Sequence, residues 1–67
     1  MNWNNIIQDD YSTYPKEGYD VLISDGNHYD VAYFLRSGEY EWRKVSIKDD
    51  DANVFEDFIP IKWCYID

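Results

Sequence analysis

The sequence predicts an all-β domain: a small antiparallel meander, a curled sheet or a partly open barrel, with at most one short amino-terminal helical turn. β-Branched and aromatic residues gather in short runs, turn-forming residues separate these runs, and apolar and polar side chains alternate within them. A chain of 67 residues has material for one hydrophobic core. We therefore expect residues 1–67 to form a single domain.

The apolar residues near the amino terminus are spaced as on one side of a helical turn. Asn2 precedes Trp3, Ile6 and Ile7, which would share one side of a single turn capped by Asn2. The polar residues 8–13 follow, and a proline and a glycine then predict a turn over residues 14–18. This segment is expected to pack on the sheet as a plug.

Four strands are expected after this turn. A run at 19–24 leads through Asp25-Gly26, a favoured hairpin pair, into a second run at 28–35. Ser37 and Gly38 turn the chain into a third strand over 39–45, and a charged loop covers 48–53. Residues 59–66 form the last strand. Because Pro60 lacks an amide hydrogen, this strand lies at an edge or begins after the proline.

Both faces of the predicted sheet carry apolar groups. In the second strand Val31 and Leu35 share one face, whereas Ala32 and Phe34 share the other. The first strand shows the same two-sided pattern. This predicts either a sheet curled around its core or a second face covered by another copy, so a homo-oligomer is expected.

The composition limits the classes of partner. Six Lys and Arg residues against fourteen Asp and Glu give a net charge of -8, which repels nucleic-acid phosphates and anionic lipids and favours basic proteins. No run approaches the length needed to span a bilayer. The single cysteine, Cys64, excludes an internal disulfide and is typical of a reducing cytosol. We expect a cytoplasmic protein without direct nucleic-acid or membrane binding.

No constellation of residues predicts catalysis. His28 is the only histidine, placed after a turn where it is expected to be exposed, and Cys64 is expected to be a buried, inert thiol. The acidic loop imitates half of a calcium site, but Val54 stands where glycine is required and Pro60 where a bidentate glutamate is required. The chain is predicted to be no enzyme and to hold no metal or cofactor.

An ordered set of turn and core residues extends over most of the chain: Trp3, Pro15-Lys16-Glu17-Gly18, Val21-Leu22-Ile23, Asp25-Gly26, Val31-Ala32-Tyr33, Trp42 and Trp63. This order resembles a family of short phage and prophage proteins that has no assigned activity. The chain departs from the family's closing apolar-Pro-Leu-Pro pattern, with Cys64-Tyr65-Ile66 instead, and carries an acidic insertion after Val45. The resemblance implies an accessory protein that binds and disables a host component in the host cytosol.

Two sets of surface residues follow, each with its own function. The first would bind a basic host protein, with aromatic anchors and an acidic loop that imitates nucleic-acid phosphates; it comprises Tyr40, Trp42, Asp49, Asp50, Asp51, Glu56 and Asp57. The alternative is a homo-oligomeric sponge that captures a nucleotide-like host signal, with a site made of Tyr29, Arg36, Trp42, Arg43 and Lys44. The same residues also have a purely structural interpretation. In it the acidic loop is simply solvated, and Trp42 is buried in the core with Arg36 and Arg43 on the opposite rim.

Overall fold

The computed structural model describes residues 2–38, 40–46, 54–55 and 57–66. In these ranges the chain forms one open antiparallel sheet and a short 3₁₀ turn, Tyr11–Thr13, which confirms the all-β prediction. The strands are β1 (Asn4–Asn5), β2 (Val21–Ser24), β3 (Tyr29–Leu35), β4 (Glu41–Lys44) and β5 (Lys62–Tyr65). Their order in the sheet is β1-β5-β2-β3-β4, so β2, β3 and β4 form the expected meander.

The hairpin between β2 and β3 forms at the predicted Asp25-Gly26 pair. Gly26 has a φ of 98°, a backbone conformation that residues with a Cβ atom rarely adopt. The Asp25 carboxylate accepts hydrogen bonds from the amides of Asn27 and His28 at 2.8 and 2.7 Å. These bonds, the amide of Asn27 foremost, hold the pKa of Asp25 below its usual range. The His28 side chain is exposed, as predicted.

The amino terminus is a strand, and the predicted helical turn over residues 2–7 is wrong. Asn4 and Asn5 pair with Trp63 and Lys62 of β5, and the Ile6 amide donates to the Ile61 carbonyl at 2.9 Å. A lone helical turn fixes several backbone angles for one hydrogen bond, whereas an existing strand offers several partners at once. Strand pairing therefore prevails over the helical spacing.

Strand β5 begins at Lys62, after Pro60, which is one of the two predicted alternatives. It runs antiparallel to β2, with Ile23 opposite Trp63 and Leu22 opposite Cys64. Strand β5 therefore lies between β1 and β2, and its pairing with β1 joins the two ends of the described chain.

The core lies on one face of the sheet, which we call the covered face. Its buried centre is formed by Val21, Ile23, Ala32 and Trp63. The partly buried side chains packed against this centre are Ile6, Trp42, Phe55 and Phe58. Segments from both ends of the chain therefore supply the layer over the sheet.

The opposite face is also apolar but is less deeply covered. Leu22 lies between Val31 and Cys64 in the strand register, and these three side chains line a groove of about 740 Å³. Cys64 is buried, as predicted. The two-sided pattern in the sequence thus reflects a core face and a grooved face, and coverage by a second copy stays a prediction.

A reciprocal clasp ties the segment before β2 to the turn between β3 and β4. The Glu17 carboxylate accepts from the amides of Arg36 and Ser37 at 2.6 and 2.8 Å and from the Ser37 hydroxyl at 2.9 Å. In return, the Arg36 guanidinium donates to the carbonyls of Tyr11, Tyr14 and Pro15 at 2.7, 3.1 and 3.2 Å. We call this arrangement the Glu17–Arg36 clasp.

The clasp predicts a specific dependence of stability on pH. Hydrogen bonds from the turn, first that of the Arg36 amide, hold the pKa of Glu17 below its ordinary value. A carboxylate with a lowered folded-state pKa stabilises the fold above its unfolded-state pKa and loses this effect as the pH falls through the folded-state pKa. We expect Glu17→Gln to lower the melting temperature at pH 7, with a difference from the parent that shrinks below about pH 4.

The matched control is Asp20→Asn, the same loss of charge at an exposed position outside the clasp. Thermal unfolding followed by circular dichroism should show little change for this variant. An equal loss for Glu17→Gln at pH 7 and pH 3 would contradict the role of the carboxylate.

Candidate functional site

Five aromatic rings from three parts of the chain meet at the β4 end of the covered face. Phe34 is the centre of this aromatic cluster and is only 1 % exposed. Its ring centroid lies 4.6 Å from that of Tyr14 and 4.9 Å from that of Trp42. The rings of Tyr11 and Tyr40 stack on each other at 4.2 Å with an interplanar angle of 13°.

Local structure explains why these rings meet. Phe34 and Trp42 are direct partners in the β3–β4 register, so both side chains project from the same face. The 3₁₀ turn supplies Tyr11 and is followed by Tyr14, and Asp10 caps it by accepting from the Ser12 amide at 3.2 Å. The clasp then holds this turn against Phe34.

A small cleft of about 250 Å³ opens beside the cluster. We call it the aromatic cleft; its lining residues are Gln8, Asp9, Tyr11, Tyr14, Phe34, Tyr40, Trp42, Phe58, Ile59 and Pro60. Gln8 bridges two of its walls, because its side chain donates to the Pro60 carbonyl at 3.1 Å and accepts from the Tyr14 hydroxyl at 3.3 Å. The walls are therefore connected before any ligand arrives.

The electrostatics of the cleft favour a cation. Burial raises the pKa of Tyr14, although a hydrogen bond with the Asp9 backbone opposes this effect, so its phenol is neutral at physiological pH. Of the described residues that line the cleft, Asp9 alone carries a charge at neutral pH, and none is a lysine or arginine. The aromatic faces add their own negative potential.

The structure brings part of the predicted partner-binding set to this cleft. Tyr40 is 51 % exposed and lies on the cleft wall, and Trp42 lines the cleft while also packing against the core. Asp57 is exposed and precedes Phe58, another lining residue. The remaining predicted residues, Asp49, Asp50, Asp51 and Glu56, lie outside the described residues.

The residues predicted for the alternative ligand site do not share one pocket within the chain. Tyr29 lies near the start of β3, with its ring 5.9 Å from that of Trp3, on the face opposite the cluster. The Lys44 ammonium lies 5.4 Å from the centre of the Phe55 ring. Only Trp42 of this set lines the aromatic cleft.

The two arginines of that set have different structural roles. Arg43 is paired with Tyr33, so it projects away from Trp42 as predicted, and it forms an ion pair with Glu41. Arg36 does not lie on that opposite rim. Its guanidinium carbon lies 5.5 Å from the centre of the Phe34 ring, on the clustered face, because the carbonyls of the clasp draw it there.

Sequence reasoning missed four lining residues that lie before β2. Gln8, Asp9 and Tyr11 belong to the predicted polar stretch, and Tyr14 belongs to the predicted turn. The available signal was the Tyr-x-x-Tyr spacing after Asp10, which directs two rings to one side of a capped turn. Their partners on β3 and β4 are distant in sequence, so their position in a cleft follows only from the fold.

Comparisons with known proteins add no relative: no family model, curated protein or solved structure matches this chain. Within the part of the chain that the structure describes, no three His, Cys, Asp or Glu side chains are grouped to hold a metal ion. Across the same residues, no helix is long and apolar enough to cross a membrane.

We expect Phe34 and Tyr40 to contribute unequally to the free energy of unfolding. We expect Phe34→Ala to lower the free energy of unfolding by about 3–5 kcal/mol, because it leaves a cavity at the centre of the cluster. Phe34→Leu should cost less, and Tyr40→Ala only about 1 kcal/mol, because Tyr40 is half exposed. Urea unfolding measures all three. Equal losses for Phe34→Ala and Tyr40→Ala would contradict this division.

Proposed function

We propose that this chain is a non-enzymatic binding protein that docks on a basic surface of another protein through the aromatic cleft and its rim. The observation that carries the proposal is the cleft itself, which combines preassembled rings with one carboxylate and, among its described lining residues, no cation. The resemblance to short phage proteins extends the proposal to a host protein as target. Occupying its basic site would inhibit it.

The rings of the cleft have the properties of an interface anchor. Tyr and Trp provide large contact areas with few rotatable bonds, and such residues dominate binding energy when a partner excludes water from them. Tyr40 remains half exposed, yet its stacking on Tyr11 fixes its orientation. A partner would therefore meet a surface that is already ordered, which lowers the entropy lost on binding.

The charge of the whole chain supports a basic target. A net charge of -8 on 67 residues produces a negative potential that accelerates encounter with basic surfaces and opposes encounter with acidic ones. Asp49, Asp50 and Asp51, which follow β4 in sequence, contribute three of these charges. We assign them to long-range steering and assign close contact to the cleft.

The geometry favours this function over capture of a nucleotide-like signal. The rings could stack on a base, but a phosphate placed in the same cleft would meet the Asp9 carboxylate. Arg36, the arginine nearest the cluster in the alternative set, directs its guanidinium to backbone carbonyls of the clasp. The protein-binding proposal therefore fits the charges around the rings better.

Two exposed tyrosines on opposite faces provide a matched test. The immobilised chain would be used to capture proteins from host lysate, and the affinity of a captured protein would then be measured by surface plasmon resonance. We expect Tyr40→Ala to weaken binding by about tenfold or more, because it removes a hot-spot ring. Tyr29→Ala, at a similarly exposed ring, should have little effect. The reverse ranking would refute docking through the cleft.

The steering role predicts a kinetic effect. Replacing Asp49, Asp50 and Asp51 together by Asn should slow association with the captured protein by about tenfold at low salt. Dissociation should change little, and the difference between the parent and the variant should shrink as salt is raised. If the triple variant associates as fast as the parent at low salt, the loop has no steering role.

A further inference from the structure

We propose that the aromatic cleft seats one arginine side chain of the partner, with its guanidinium against the rings and paired with the Asp9 carboxylate. This inference rests on the proposed function and specifies the group that the cleft recognises. It assigns a binding role to Asp9, which lies in a segment that sequence reasoning treated as a polar connection.

The dimensions and walls of the cleft fit a single side chain. Its volume of about 250 Å³ is at or below the lower end of the range for small-molecule pockets. The walls include Tyr40 and Trp42, whose π faces attract a cation and can stack on a planar one. A guanidinium has this planar shape and is less strongly hydrated than an ammonium, so it loses less on entering an aromatic cleft.

One ring of the cluster, that of Phe34, already lies near a guanidinium from within the protein. Arg36 lies 5.5 Å from the centre of the Phe34 ring and directs its nitrogen donors to backbone carbonyl oxygens. The cluster therefore accepts a guanidinium when oxygen acceptors lie beside the ring. On the cleft side, Asp9 is the acidic residue that lines the wall, and in the proposed complex its carboxylate would supply the corresponding oxygens, since a carboxylate can accept two parallel hydrogen bonds from an arginine.

Asp9 can be tested without disturbing the backbone. Its φ is 67°, in the left-handed region that Asn adopts as readily as Asp. Asp9→Asn therefore removes the negative charge while keeping the size and the backbone conformation of the residue. Asp20→Asn removes a charge from an exposed position that does not line the cleft, so it controls for the change in net charge.

The probes are three capped peptides, Gly-Gly-Xaa-Gly-Gly, in which Xaa is arginine, lysine or citrulline. Citrulline keeps the shape of arginine but is neutral. Titrations followed by two-dimensional NMR should show that the arginine peptide shifts the Trp42 indole resonance, identified with Trp42→Phe, and that lysine binds more weakly. Citrulline should bind about tenfold more weakly than arginine, because the charge-assisted pair is lost.

The variants complete the test. Asp9→Asn should weaken binding of the arginine peptide by about tenfold, and Asp20→Asn should leave it within about twofold. Equal binding of arginine and citrulline, or an Asp9→Asn variant that binds like the parent, would overturn the inference. If the peptide test fails but Tyr40→Ala still weakens binding of the captured protein, docking through the cleft stands and only the arginine assignment fails. If Tyr40→Ala has no effect on capture, the proposed function itself fails.

Discussion

The Glu17–Arg36 clasp is the interaction on which the rest of the covered face depends. Between β1 and β2 the chain has no strand, so the sheet's ladder of hydrogen bonds does not hold this part of the described chain in place. The clasp supplies that attachment in both directions: a side chain from the β3–β4 turn binds backbone carbonyls of the segment, and a side chain from the segment binds backbone amides of the turn. Because each charged group binds several backbone partners, the clasp fixes the orientation of the segment relative to the turn as well as the distance between them. Together with the hydrogen bond from the Trp63 indole to the Thr13 carbonyl at 2.8 Å, the clasp holds Tyr11 and Tyr14 beside Phe34.

Aromatic packing compensates for the small size of the domain. A sheet of this size has few residues with which to cover one face, and a ring buries more area for each residue than an aliphatic side chain does. The covered face therefore uses Phe34, Trp42 and Trp63 where a larger domain could use a helix. An aromatic layer made from a 3₁₀ turn and extended segments does not close completely. The aromatic cleft is the gap that remains between these segments and the strand ends.

Sequence patterns predicted the features that depend on neighbouring residues. The Asp25-Gly26 hairpin, the start of β5 after Pro60 and the exposure of His28 each follow from local conformational preferences, and the structure confirms them. The pairing of β1 with β5 was not predictable in this way, because its partners stand at opposite ends of the chain. The same reason applies to the cleft. Its carboxylate belongs to a polar segment whose significance appears only when β3 and β4 place rings beside it.

Stability and the proposed recognition would use the same rings but depend on different members of the cluster. Phe34 is buried, so the fold constrains its identity, whereas Tyr40 and Asp9 are exposed, so a substitution there removes little buried area. The residues of the proposed binding surface could therefore vary while the core beneath them stays intact. Arg36 connects the two levels, because the guanidinium that secures the 3₁₀ turn also lies against the central ring. The cleft is thus ordered by contacts made during folding, and a partner would spend little of its binding energy on arranging the aromatic walls.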